Sequence, residues 1–387
     1  MAGQHSSTEY NFYDEIQSND KIKKVDSDDS LDIYSYISCN NNDCELVRKC
    51  RGVVMDGCDV IVKGNYTLEY TDSDYSDIKD LDISNLRFFD SHEGTLIRVF
   101  FHDKWYISTH RKLDAFRSRW SSKTTFGNMF ANAIHVHYVK NNITIPEDGD
   151  VLRHFLDSLD KGKQYTFFVR NIETNRIVCD VPEYPTVYHI GTYIDDHLNI
   201  DDDVCGIPRP REHRFANIDA LVNFIRDCCH PFQFQGIIAF DDTQSVFKMV
   251  HSEYKRLFDI RGNQPSIKFR YLQVRNDDQL RSELYKLYPS CIEILDSCER
   301  IIGDIINNIY NSYVNRYIKK QHVRVPPEEF AIMKQCHNWH CEDRGRNRIS
   351  YNKIRELVDN TDPKDLNTMI KRINERRYNN YIKPIQY

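Results

Sequence analysis

Cations set beside aromatic rings are the side chains in this sequence best suited to chemistry with phosphate. His110, Arg111, Lys112, Arg117, Arg119 and Trp120 form one such cluster. Its spacing suits a phosphate contact beside a stacked base, and equally the solvated face of an ordinary helix. RGRNR (344–348) and KRINERRYNNYIK (371–383) repeat the mixture near the C-terminus. Cys336-His337-Asn338-Trp339-His340-Cys341 offers zinc-type ligands, but its two i, i+4 pairs lie on different faces of a helix. A structural zinc would need a second pair from elsewhere, so packing and surface positions are the preferred reading, and no metal is assigned. Asp201-Asp202-Asp203 precedes Gly206 and Pro208 and reads as a surface loop.

The elements that would position these groups follow from periodicity. Residues 1–45 are polar and rich in Asp, Ser and Asn, and read as an acidic, loosely ordered arm. CRGVVMDGCDVIVKGNY (50–66) predicts two strands joined by a tight turn around Met55–Cys58, and TDSDYSDIKDLDISN (71–85) an exposed loop. GTLIRVFFHDKWYIST (94–109) predicts a hairpin turning near His102–Asp103, with helices expected over 111–120, 151–159 and 218–228. YTFFVR, NRIVCDV, PTVYHIGTY, FQGIIAF and SVFKMV read as strands. Past about residue 275 the period becomes helical. Ile294, Leu295, Cys298, Ile301, Ile302, Ile305, Ile306, Ile309 and Tyr313 form an apolar stripe, and Pro363 opens a later helix.

Composition sets bounds on function. The 387 residues are 40% hydrophobic and 28% charged, with a net charge of −6, which excludes collagenous and wholly disordered classes. No apolar run approaches the ~18 residues that a membrane span requires, and the N-terminus lacks the pattern of a secretory signal. The twelve cysteines are therefore expected as thiols in a reducing compartment. Charge is uneven: residues 1–90 hold 19 acidic against 9 basic side chains, whereas 344–387 hold 11 basic against 5 acidic. An acidic beginning and a basic end leave polyanion binding open for the C-terminal region.

Three stretches carry more than packing: FFDSHEGTLIRVF (88–100), YTFFVRNIETNRIVCDV (165–181) and FQFQGIIAFDDTQSVFKMVHSEY (232–254). With RGVV (51–54) upstream, their order and spacing resemble the covalent nucleotidyltransferase superfamily, nearest its phage-type RNA ligases. The resemblance implies an α+β fold, with a ligase-like mixed-sheet core over 46–275 and an all-helical domain with a basic end over 276–387. It further implies a lysine that attacks the α-phosphorus of ATP, with neighbouring cations and a divalent metal neutralising the charge that develops. HEGTLIRVFFHDKWYISTHRKLDAFRSRW (92–120) also resembles the iridovirus immediate-early protein family. That likeness implies a viral protein made early and acting inside infected cells, in cytoplasm or nucleus.

Matched to the superfamily's motifs, the chain departs where the chemistry resides. Ser91 stands at the nucleophilic lysine, ahead of Glu93 and Gly94. Gln235 replaces the metal-binding glutamate before Gly236, and in the paired-lysine motif Lys248 is kept while Val250 replaces its partner. Arg170 occupies the glutamate position upstream of the NRIV segment. A serine ester with His92 as base is geometrically poor, because neighbouring strand residues face opposite ways. The expectation is a catalytically degenerate ligase-like protein that binds RNA or nucleotide, or regulates a viral or host partner. Its binding residues would be Arg51, Arg98, Arg111, Lys112, Arg117, Arg170, Asn175, Arg176 and Lys248, and any nucleotide retained would be ATP with Mg²⁺. The alternatives are an active RNA ligase or adenylyltransferase with an unusual nucleophile, and a protein-interaction scaffold.

Overall fold

Strand-forming runs dominate the first two thirds of the chain and helical periods the last, and the computed structural model follows that division. It describes residues 7–64, 67–173, 177–194, 197–241 and 246–382. Two units result, Met1–Phe258 and Asp259–Tyr387. The first begins with α1 (Ser7–Ser18), β1 (Ile22–Ser27), β2 (Asp32–Tyr36), α2 (Glu45–Lys49), β3 (Arg51–Asp56) and β4 (Asp59–Val62). Next come β5 (Thr67–Thr71), α3 (Tyr75–Ile78), β6 (Arg87–Ser91), β7 (Thr95–Phe101), β8 (Trp105–Ser108), α4 (Phe126–Lys140) and α5 (Val151–Asp157). The unit closes with β9 (Gln164–Arg170), β10 (Thr186–Ile194), β11 (His197–Asn199), β12 (Glu212–His213), α6 (Ile218–Cys228), β13 (Gly236–Phe240) and β14 (Val246–Val250). α7 (Ser252–Arg261) straddles the division.

These strands form three sheets in the orders β1-β2-β3-β4, β11-β10-β9-β7-β8 and β12-β6-β13-β14-β5. All neighbours are antiparallel except β14 and β5. α4 and α5 pack Phe130, Ile134 and Phe155 against Ile97, Val99 and Phe167 of the second sheet. Leu221, Val222 and Ile225 of α6 cover Phe88, Ile237 and Met249 of the third.

The second unit is helical: α8 (Ile267–Val274), α9 (Asp278–Leu287), α10 (Ile292–Tyr313), α11 (Pro327–Glu342), α12 (Tyr351–Asp359) and α13 (Pro363–Ile382). The stripe expected from spacing is the buried face of α10 from Leu295 to Tyr313, whereas Ile294 at its start is exposed. The chain is thus a mixed α+β protein with sheets first and helices last. None of its helices, among the described residues, is long and apolar enough to cross a membrane.

Several local expectations are corrected. The supposed arm contains α1 and the β1–β2 hairpin, because Ile16, Ile22, Leu31 and Ile33 supply enough apolar surface to bury. The acidic stretch 71–85 is pinned rather than loose: Asp72 accepts a 2.6 Å bond from the Ser252 amide, and Ile78 and Ile83 are buried. Residues 111–120 form only a single 3₁₀ turn at Ala115–Arg117, because Asp114 caps Phe116 locally and Asp26 accepts from the Leu113 amide. Ile177–Val181 is not a strand, since two of its amides bond to the Glu93 carboxylate instead of to a neighbouring strand. The division between units falls at 258/259, whereas the change of period suggested 275.

Candidate functional site

Sheet register decides which of the chemical positions meet. Ser91 ends β6 opposite Gly236 of β13, Gly236 lies opposite Val250 of β14, and Val250 lies opposite Thr71 of β5. The three motif positions thus form one row across adjoining strands. Gly236 permits the close approach: its φ is +151°, and a Cβ there would meet the Met249 carbonyl at 2.1 Å. The Gln235 amide donates to the Ser91 carbonyl at 2.7 Å and the His251 amide to the Gln235 carbonyl at 2.9 Å, fixing both ends of the row.

Around that row the polar groups satisfy one another. The Gln235 side chain donates Nε2 to the His92 carbonyl at 3.0 Å and accepts the Lys248 ammonium on Oε1. Burial, the largest influence on Lys248, lowers its pKa, and Arg51 pushes the same way against the attraction of Glu69. Glu69 Oε2 lies 3.8 Å from Lys248 Nζ. Glu93 accepts from the amides of Ile177 at 3.3 Å and Val178 at 2.7 Å, and from the Tyr254 hydroxyl at 2.9 Å. Burial raises the Glu93 pKa although these bonds oppose it. Glu93 is therefore a tie between the 177–178 segment and α7. The His92 ring stacks on Tyr188 at 5.5 Å, and burial first, then Arg170, lowers its pKa to about 4. A ring so placed is a poor base for Ser91. Gly94 lies where a Cβ would meet the Val169 carbonyl at 2.3 Å, so the turn into β7 needs glycine.

A second group gathers beside the first. A cavity of about 250 Å³ is lined by Arg51, Lys63, Arg98, His110, Gln164 and Tyr193, with no carboxylate in its lining. Arg98 is buried and donates to the carbonyls of Gly52 and of Thr109, the latter at 3.0 Å, leaving its Nε unpartnered. Burial, against a small pull from Tyr193 and with a push from Arg51, brings its pKa down to about 10. His110 is held neutral by burial, then by Arg51, Arg98 and Arg111. The guanidiniums of Arg51 and Arg98 at one cavity attract an anion. Arg51 belongs to both groups, since its charge acts on Lys248, Arg98 and His110.

The remaining candidates disperse. Lys112 pairs with Asp26 at 2.8 Å, the Arg111 guanidinium reaches the Tyr36 carbonyl at 3.4 Å, and Arg117 is exposed. Arg170 donates to the Asp180 carbonyl at 3.2 Å. Asn175 and Arg176 lie outside the described residues. Sequence reasoning missed Tyr254 and Lys63. Tyr254 ends a stretch already singled out, and a tyrosine six residues past a buried lysine gave the only hint of it. The CHNWHC segment brings Cys341 Sγ within 3.6 Å of His337 Nε2, and no cluster of three metal-ligating side chains occurs among the described residues.

No family model matches the chain. Among solved structures, two forms of an archaeal ATP-dependent RNA ligase align at 10% identity, with TM-scores of 0.38 and 0.35. They cover 76% and 71% of this chain and 78% and 70% of theirs. Among known sequences, the immediate-early protein ICP-46 homologue of Invertebrate iridescent virus 3 is 29% identical over 294 residues, covering 74% of this chain and 63% of that protein. ICP-46 of Frog virus 3 is 28% identical over 252 residues, 62% of each chain. The homologue in Invertebrate iridescent virus 6 is 28% identical over 363 residues, 87% of this chain and 79% of that protein, so the chain is similar over most of its length to iridovirus immediate-early proteins.

Proposed function

We propose that this is a viral early protein whose nucleotidyltransferase-like core has lost covalent catalysis and binds the phosphates of nucleotide or RNA inside the infected cell. One observation carries the reading: the register sets Ser91, Gly236 and Val250 in a single row, with Gln235 at its edge. The amine and carboxylate that adenylyl transfer would use are missing from one place, so no neighbour on the row replaces them. Lys248 persists, and Arg51 joins it to the cavity that Arg98 also lines, which supports anion binding without group transfer.

The fit of ATP and Mg²⁺ differs between the two ligands. A hard cation takes anionic or neutral oxygen ligands. Here the Gln235 oxygen is occupied by an ammonium, and Glu93 is occupied by two amides and a hydroxyl. These donors do not fit Mg²⁺, and no step is assigned to it. A phosphate chain fits the Arg51–Arg98 side by charge.

The test uses the intact chain with α-labelled ATP or GTP, Mg²⁺ or Mn²⁺, and denaturing electrophoresis. No label is expected to survive. Label that persists and disappears in Ser91→Ala would replace this reading with an active transferase. In equilibrium binding, Arg51→Gln and Lys248→Gln are each expected to weaken ATP or RNA about tenfold, the loss of one charge-assisted contact. Unchanged affinity in both would remove phosphate binding from this site.

A further inference from the structure

The helical unit carries a cationic and aromatic surface built independently of the sheet site. α10 ends in a widened π turn at Val314–Ile318, where the Lys319 amide bonds to the Val314 carbonyl at 2.9 Å. The turn carries Tyr317 onto α11, and its ring stacks on His337 with centroids 3.9 Å apart and planes 19° apart. Tyr313 joins from the side, its hydroxyl 3.2 Å from His337 Nδ1. Beyond the turn, Lys320 adopts φ +58°, and Ile318 is 66% exposed.

Charge surrounds this stack. Between Asp304 and Glu328 the sequence holds Arg316, Lys319, Lys320 and Arg324 and no acidic residue. Lys319, Lys320 and Arg324 are exposed. The loop after α11 contributes Arg344, exposed as well, and it is anchored by a 2.6 Å bond between His340 Nδ1 and the Asn347 carbonyl. Lys320 and Arg344 both lie close enough to His337 to depress its pKa, after the larger effects of burial and His340, so the two loops converge on the stack. Lys319, Lys320 and Arg344 have no carboxylate within ion-pair distance among the described residues.

We propose that this surface binds single-stranded polynucleotide, with Lys319, Lys320 and Arg344 on phosphates and a base laid against Tyr317. Unpaired cations complement a polyanion, and an aromatic platform accepts any base that is not already stacked in a duplex. A protein partner would be expected to meet a broader apolar patch, whereas Ile318 stands alone among charges.

Fluorescence anisotropy of the full chain with a labelled twelve-nucleotide oligo-U, oligo-dT and a duplex of the same length tests this. Both single strands should bind more tightly than the duplex, and a preference between RNA and DNA identifies the source of the ligand. Lys319→Gln/Lys320→Gln/Arg344→Gln should weaken single-strand binding at least tenfold and lower the salt slope by roughly two, three contacts at about 0.7 each. Tyr317→Ala should weaken it by about tenfold with the salt slope unchanged, which separates stacking from charge. These are surface changes, and unaltered circular dichroism and melting will establish folding. If Tyr317→Ala perturbs the π turn, Tyr317→Phe should retain binding. Full affinity in the charge triple variant overturns the proposal. So does a wild-type chain that binds no oligonucleotide at 100 mM salt, including one that instead retains an acidic protein. Arg51→Gln, in the other unit, should leave this stacking-dependent component intact, so failure of the sheet site and failure of this surface are distinguishable.

Discussion

At the scale of single residues, three histidines, one buried and two half-buried, give the sheet unit a pH response. His92 and His189 are both lowered to about 4, chiefly by burial, and His110 is lowered well below its usual value. Each stays neutral in the fold, while the unfolded chain takes up a proton near pH 6.5. Stability is therefore complete above that value and is lost as pH falls towards 4, at about 1 kcal/mol per histidine for each pH unit. Urea midpoints between pH 7 and 4.5 should show this decline. His189→Gln should make the decline shallower, because one titrating group is gone. A flat profile would mean that these rings reach water in the folded protein.

At the scale of elements, the pairing of β6, β13 and β14 is the critical assembly. Gly236→Ala would drive a methyl group into the Met249 carbonyl at an unfavourable φ, and should destabilise the unit by about 2 kcal/mol or more. Chemical denaturation will measure this, and a neutral result would imply that β13 shifts without penalty. Much of this level was legible beforehand. The turn at Gly57, the hairpin at 102–104, α6 and the face of α10 follow from apolar period and turn residues. The row of Ser91, Gly236 and Val250 was reachable only as a likeness of motifs, since nothing local tells which strands become neighbours. Other features were hidden because long-range bonds outweighed local propensity. Asp26 holds 112–113 out of a helix, and Glu93 holds 177–178 out of a strand. Buried aliphatics spread among Asp and Ser made the first 45 residues look looser than they are.

At the scale of the whole molecule, two units with separate cores should unfold as two calorimetric components. Arg275 marks one of them. Nearly buried, it pairs with Glu299 at 2.8 Å and with Asp359 at 2.7 Å, joining the end of α8 to α10 and α12. The two carboxylates raise its pKa, and it in turn holds Glu299 low in spite of burial. Arg275→Ala strands both acids and should lower the stability of the helical unit by about 3 kcal/mol. Scanning calorimetry should then show one component shifted and the other in place. A common shift of both would show that the units melt together.

The parallel pairing of β5 with β14 has a consequence for how the protein is made. Thr67–Thr71 leaves the ribosome early, whereas its partner Val246–Val250 appears only after most of the chain has been synthesised. Until then β5 lacks its strand partner, with only the Asn41 side chain, which precedes it in the chain, bonding to the Glu69 amide and carbonyl, and loop closure over that span is slow. The third sheet cannot be completed during the first half of translation. Where many copies are being synthesised at once, the edge at 67–71 is where nascent molecules would first need a chaperone, or would first stick to one another.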